Sequence, residues 1–316
     1  MPLGFLPLLL FATLGADSTR LTPGDHHRTI DVAGRQRTYL VHVPESYDAS
    51  QPTPAVLVFH GFGADGAAMA RFCGMNAKAD QEGFITVYPY GTGARIFRLF
   101  NGGGARNDIA KNLPDDIQFV DRLLDELSAE ANVDTRRIYA TGFSNGAMMC
   151  HRLAVERSER VAAIATVAGT MANGLPEPTR PVPVLHFHGT ADPAFSFRGG
   201  IDGASEAFDV MSVEETIQFW AGQHECLPKP KVWDKKDQFD DGTTVRRRSY
   251  QTKEGDVRVV FYVIEGAGHN WPGQKPPWFL RTWGTWTKEI SANDLIWEFF
   301  DQNPLDAEEE SDKVTR

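Results

Sequence analysis

The run Gly142-Phe143-Ser144-Asn145-Gly146 sets one serine between two glycines. A serine hydroxyl is a poor nucleophile until a base takes its proton, so what such a residue can do depends on its neighbours. Residues 137–141 before it read as a strand, and Ala147-Met148-Met149-Cys150 after it open a helix. A strand–turn–helix with serine at the apex is a nucleophile elbow. The turn is tight, the glycines make room for the flanking elements, and the hydroxyl stands clear of the sheet. The chemistry this predicts is acyl transfer through a covalent serine ester.

A base and an orienting acid are expected after Ser144, in the order serine, carboxylate, histidine. Five histidines follow it: His151, His186, His188, His224 and His269. His151 lies two helical turns on and is expected to pack or face solvent. His186 and His188 fall inside the apolar run 182–188, where one is expected to line the site and the other to pack; His224 sits near a helix end. His269 lies in a glycine-rich loop directly after the long strand 257–265. Such a loop is where a base is expected to hang, and His269 is the choice. Asp192 follows the strand 182–188 through Gly189, whereas Asp202 and Asp209 have no strand before them, so Asp192 is the expected acid. The oxyanion needs two backbone N–H donors. The residue after the serine, Asn145, supplies one, and Phe62 in His60-Gly61-Phe62-Gly63 is expected to supply the other.

Positioning these groups requires a rigid frame. From residue 28 to 304 strands alternate with helices: strands at 37–44, 55–60, 84–88, 137–143, 162–168, 182–188 and 257–265, and helices at 67–81, from Pro114 to Leu127, 145–156, 213–221 and 293–302. That alternation predicts an α/β fold with one mostly parallel sheet covered by helices on both faces, read as a single domain over 28–304. Two stretches depart from it. The glycine-rich loop 91–113 carries Phe97, Phe100, Arg95, Arg98 and Arg106, and the polar stretch 229–250 is expected to form a hairpin at the sheet edge.

Composition narrows the partners. Of 316 residues 41% are hydrophobic and 23% charged, which excludes a disordered chain or a multi-span membrane protein. The net charge of −10, with no Lys/Arg-rich run, argues against nucleic acid. Residues 5–14 are almost wholly apolar and end at Gly15-Ala16, so 1–16 is expected to be a signal peptide and the protein secreted or periplasmic. Residues 305–316 are expected to be an acidic, disordered tail. Cys73 and Cys226 are candidates for one bridge, and Cys150 for a buried thiol. The adjacent His26 and His27 point apart in a strand and do not make a metal site, and residues 234–242 lack the closing glutamate of a calcium loop.

Four tryptophans, Trp271, Trp278, Trp283 and Trp286, follow His269 within sixteen residues broken by Gly273, Pro276 and Pro277. An irregular segment runs over the surface, where rigid aromatics offer flat faces to a phenyl ring or a sugar. Trp271, Trp278, Phe97 and Phe100 are the expected substrate contacts.

Taken together, these pieces resemble the secreted esterases of the poly(3-hydroxybutyrate) depolymerase and feruloyl esterase group. The likeness runs through RTYLVHVP at 37–44, HGFG at 60–63, DQEGFITVYPYG at 80–91 and VDTRRIYATGFSNGAMM at 133–149. It continues through HGTADP at 188–193, SVEETIQFWA at 212–221, GAGHNWPG at 266–273 and LIWEFF at 295–300. The resemblance implies an α/β-hydrolase fold, a Ser144–His269–Asp192 triad, and neither metal nor organic cofactor. It implies an ester substrate, and the aromatic residues after His269 and in the loop 91–113 favour aromatic acyl (or acetyl) esters of plant polysaccharides over aliphatic polyesters. An inactive binding protein on a hydrolase scaffold is the rival of a different class, disfavoured because every catalytic piece is present.

Overall fold

The computed structural model describes residues 21–94, 97–106, 112–199 and 207–306. The expected signal peptide 1–16, residues 307–316 of the tail, Arg95, Asp202 and part of the loop 91–113 lie outside the described residues.

Ten strands build one sheet in the order β1-β2-β4-β3-β5-β6-β7-β10-β9-β8. Its centre is parallel: β4 (Ile85–Pro89), β3 (Thr53–Phe59), β5 (Val133–Phe143), β6 (Ala163–Val167), β7 (Val184–Gly189) and β10 (Val257–Glu265). Antiparallel flanks close both sides. β1 (Gly24–Val32) and β2 (Arg35–Val43) join through Ala33-Gly34, both at positive φ, the backbone a tight two-residue hairpin requires. On the other side the expected hairpin of 229–250 is β8 (Lys231–Asp234) against β9 (Thr244–Gln251), which pairs with β10.

Every residue of β3, β4, β6 and β7 is buried, as continuous apolar runs demand when helices cover both faces. Alternate side chains feed two cores. Leu57, Phe59, Ile138 and Phe261 point to α3 (Asp116–Glu130), α4 (Asn145–Glu156) and α5 (Val213–Gln223). Val56, Val58, Tyr139 and Val260 point to α1 (Gly66–Cys73), α2 (Met75–Glu82) and α6 (Ala292–Asp301).

Two expectations are corrected. The single helix over 67–81 is two, because Gly74 adopts φ 65° and ends α1 before α2 begins. Cys73 and Cys226 are free thiols, not a bridge: Cys73 is fully buried in the α1–α6 core, and its burial raises the thiol to about 12. Cys226 sits half-buried after α5, against the opposite core.

Candidate active site

The chain passes from β3 outward to β4 and then back across β3 to β5, so the sheet has a topological switch point between β3 and β5. Crevices at the carboxyl ends of strands flanking such a point are where α/β proteins bind ligands. The expected catalytic residues all follow carboxyl ends of parallel strands: Phe62 after β3 and Ser144 after β5 at the switch point, and Asp192 after β7 and His269 after β10 on the same edge of the sheet.

Ser144 adopts φ 58° and ψ −120°, a conformation that disfavours side chains and costs on the order of 1–3 kcal/mol. The surroundings enforce it. Its N–H donates to Val167 O at 2.9 Å, and α4 starts at the next residue, close against the strands. A Cβ at Gly146 would stand 2.3 Å from Phe59 O, and one at Gly142 would stand 2.5 Å from the Gly146 backbone, so both flanking glycines are required by contact.

His269 is buried, and its Nδ1 lies 2.7 Å from Asp192 Oδ2. Oδ1 of the same carboxylate accepts from the amides of Ala194 and Phe195 at 2.8 and 2.9 Å. Burial raises the Asp192 carboxyl, but His269, His188 and the Phe195 amide together outweigh it and hold the group below the ordinary carboxylate value. A carboxylate that remains charged beside Nδ1 leaves Nε2 of the same ring available for exchange of a proton. The His269 ring packs on Phe143, next to the serine, with centroids 4.6 Å apart. Its backbone N–H donates to Trp283 O at 3.0 Å, so the 3-10 helix Trp278–Trp283 returns to brace the histidine loop.

The Asn145 amide is at the amino end of α4, and the Phe62 amide lies in a turn with no hydrogen-bond acceptor among the described residues. That turn is held from both sides. Gly63 N–H donates to Arg98 O at 2.8 Å, and Arg98 pairs with Asp65, which also caps α1 through Ala68 N–H at 2.8 Å. His60, for which the sequence pattern assigns no role of its own, also holds this turn. Its Nδ1 donates to Gly61 O at 2.7 Å and its Nε2 accepts from Gly91 N–H at 2.9 Å. Those roles require a neutral ring, and burial lowers its pKa to about 4, against smaller opposing effects of Gly61 and Asp65. The Asn145 side chain also acts at a distance: Oδ1 accepts from Phe100 N–H at 2.7 Å and Nδ2 donates to Phe100 O at 3.1 Å. It thereby pins the loop after β4 to the start of α4.

His188 is the member of the histidine pair that faces the site, 3.6 Å from Asp192 Oδ2, while His186 packs behind it. His151 packs too, accepting from Trp220 Nε1 at 3.1 Å, and His224 ends α5.

The aromatic contacts need correction. Trp271 is fully buried among α1 and α6, its Nε1 donating to Asn293 Oδ1 at 2.9 Å, so it presents no face to a ligand. Phe100 is also fully buried, edge-on to Phe59 and 4.6 Å from the His60 ring. A sequence pattern assigns such rings to an irregular segment without saying which side they face. Trp278 and Phe97 are exposed, 78% and 58%, and Phe97 lies across Phe62 at 6.4 Å. The tryptophan that reaches the site is Trp283, 5.4 Å from the His269 ring. Two arginines of the loop after β4 are engaged with acids, Arg98 with Asp65 and Arg106 with Asp209.

Residues 46–227 match the phospholipase/carboxylesterase family. The putative esterase NocK of Nocardia uniformis subsp. tsuyamanensis is 30% identical over 283 residues, 86% of this chain and 81% of that protein. Feruloyl esterase B of Piromyces equi is 27% identical over 74% of this chain, which spans 42% of that longer protein. Among solved structures, an acetyl xylan esterase from Aspergillus awamori superposes with a TM-score of 0.60 at 15% identity, covering 88% of this chain and 99% of that one, and so shares the fold. With an α/β-hydrolase sheet and a family match over more than half of its length, the chain belongs to the phospholipase/carboxylesterase family and is a carboxylic ester hydrolase.

Proposed function

We propose that this chain cleaves esters through a covalent acyl-enzyme. Ser144 attacks the carbonyl, His269 takes the serine proton and returns it to the leaving alcohol, and Asp192 keeps the imidazole in the productive tautomer. The Phe62 and Asn145 amides bind the oxyanion. The observation that carries this reading is the buried 2.7 Å contact of His269 Nδ1 with Asp192 Oδ2, in a ring packed on Phe143, the residue before a serine held at positive φ. Ser144→Ala lowers kcat at least about a thousandfold with an unchanged circular dichroism spectrum, and p-nitrophenyl acetate labels the unmodified protein at Ser144. Full turnover by the alanine variant overturns the mechanism.

The substrates we assign are esters of aromatic, hydroxycinnamoyl-type acids on plant polysaccharides, with acetyl esters second. Trp283 against His269, the exposed Phe97 and Trp278, and the likeness to a feruloyl esterase support this choice. The apolar run at 5–14 supports action outside the cytoplasm. A panel of methyl ferulate, feruloylated arabinoxylan, acetylated xylan and amorphous poly(3-hydroxybutyrate) tests it. Cleavage of the polyester with no action on the sugar esters overturns the substrate while leaving the mechanism intact.

A further inference from the structure

Beside the loop that carries His269 lies a small cavity. It is walled by the end of β7 at His188 and Gly189, by Gly268 and Asn270 of the loop, and by Trp286 and Thr287. Of its whole lining only Trp286 is partly exposed; every other residue is buried. Its volume is about 10 Å³, room for one water molecule and for no organic group.

Asn270 is only 6% exposed. Its Nδ2 donates to Gly284 O at 3.1 Å and to Thr285 O at 3.3 Å, which uses both amide protons and fixes which way the amide faces. Its Oδ1, equally buried, accepts from no group among the described residues. Buried oxygens of this kind are met by bound water wherever there is space for it, and an orphan acceptor and a water-sized space occur together here. Thr287 supplies a second polar atom to the same lining. Its Oγ1 accepts from Glu289 N–H at 3.1 Å and lies 2.7 Å from Thr243 Oγ1. Thr243 gives its own proton to the Asp241 carboxylate, which can only accept. The Thr287 hydroxyl therefore keeps its proton to give, to Thr243 or into the cavity.

We propose that this cavity binds one water molecule, held between Asn270 Oδ1 and Thr287 Oγ1, and that Asn270 with its water positions His269. The histidine loop is already joined to segment 283–287 through its backbone, His269 N–H donating to Trp283 O at 3.0 Å and Gly268 N–H to Thr285 O at 2.8 Å. The Asn270 side chain adds two bonds to the same segment, and the water carries its remaining oxygen on to Thr287. Asp192 thus holds the imidazole by its ring, while Asn270 and the water hold the backbone that bears it. Asn270 is a positioning residue, a role that rests on the reading of His269 as the base.

A crystal structure at a resolution that shows ordered waters tests the first half. One water within hydrogen-bonding distance of Asn270 Oδ1 and Thr287 Oγ1 is expected, and a cavity without density overturns the proposal. Hydrolysis of p-nitrophenyl acetate tests the second. Asn270→Leu, close to asparagine in volume, removes both the donor and the acceptor. Its kcat falls about tenfold to a hundredfold while KM changes less than about twofold, since the base is misplaced and substrate contacts are not. Thr287→Val keeps every bond of Asn270 but takes one partner from the water, and its kcat falls about threefold to tenfold with KM again held. If Asn270→Leu does not fold, the valine variant carries the test. Unchanged kcat in the variants, or a loss that lies wholly in KM, overturns the positioning role. His269→Ala separates this from the mechanism. If that variant is inactive while Asn270→Leu turns over normally, only the positioning role falls; if His269→Ala keeps full turnover, the base assignment falls and the positioning role with it.

Discussion

His188 reaches the reacting groups through the loop that holds them. Phe195 O can only accept, so the 2.9 Å contact fixes the proton of His188 on Nε2. The Nδ1 of a neutral His188 then accepts from His186 Nε2 at 3.1 Å, and His186 Nδ1 accepts from the Thr166 hydroxyl at 2.7 Å. Burial lowers both rings, and Asp192 only partly opposes it at His188, so this line of bonds stays uncharged. Its end is Phe195, whose amide in turn holds Asp192 Oδ1. His188 is therefore a positioning residue. His188→Leu leaves Phe195 O and His186 Nε2 unpaired, and kcat/KM falls on the order of tenfold to a hundredfold. A carboxylate held less closely stabilises an imidazolium less, so the ascending limb of the pH–rate profile moves to lower pH. His188→Gln keeps an N–H donor toward Phe195 O and restores much of the rate. A leucine variant with the original limb and rate would leave His188 a packing residue.

Between elements, two polar crosslinks sit at the first residues of helices. Asn293, at the start of α6, accepts from Trp271 Nε1 at 2.9 Å and donates to Cys73 O at 2.8 Å, the last carbonyl of α1. One side chain thus ties the segment after His269 to helices at both ends of the sequence. The same device recurs at Asp116, the first residue of α3, which pairs with buried Arg37 of β2 and accepts from Asn101 N–H at 2.7 Å. Its burial raises the carboxyl, Arg37 opposing. Asn293→Ala strands a buried indole N–H and a carbonyl, at a cost of about 2–4 kcal/mol. The midpoint of urea unfolding checks this. A shift under about 0.5 kcal/mol would mean that water replaces the lost bonds at no cost.

At the scale of the molecule, the same economy makes the fold sensitive to acid. His60 and His151 are buried as neutral rings, with pKa lowered by burial to about 4 and about 3. Unfolded, each returns to about 6.5, so between those values the unfolded chain binds protons that the folded one does not. Stability therefore falls as pH drops below about 6.5, at about 1.4 kcal/mol per pH unit for each ring, down to its folded value. Asp192 adds to this only lower, since a carboxyl below its ordinary value is lost as a stabiliser when pH falls past the unfolded value near 4. Calorimetry at pH 5.5 in buffers of different ionisation heat should register proton uptake on unfolding. Absence of uptake would mean that these rings are charged in the folded protein.

Much of this is legible in the sequence. Residues separated along the chain but each following an apolar run, as Phe62, Ser144, Asp192 and His269 do, must converge if the runs are parallel neighbours. The alternation of runs and helices makes them so, which is why local pattern was enough for the fold and for where these loops meet. Sidedness was not legible. Trp271 and Trp283 belong to one irregular stretch of similar composition, yet one lies in the core and the other against His269, because Asn293 of a remote helix, itself bonded to Cys73 O, holds the first. Gly74 reads as a helix residue until its φ of 65° is seen, and whether Cys73 and Cys226 pair is open in the sequence until they fall against opposite faces of the sheet. Periodicity is a property of neighbours in sequence and determines which residues form elements. Which face of a loop is buried, and what a buried imidazole bonds to, depends on contacts between segments far apart in the chain, and those exist only once the sheet has brought them together.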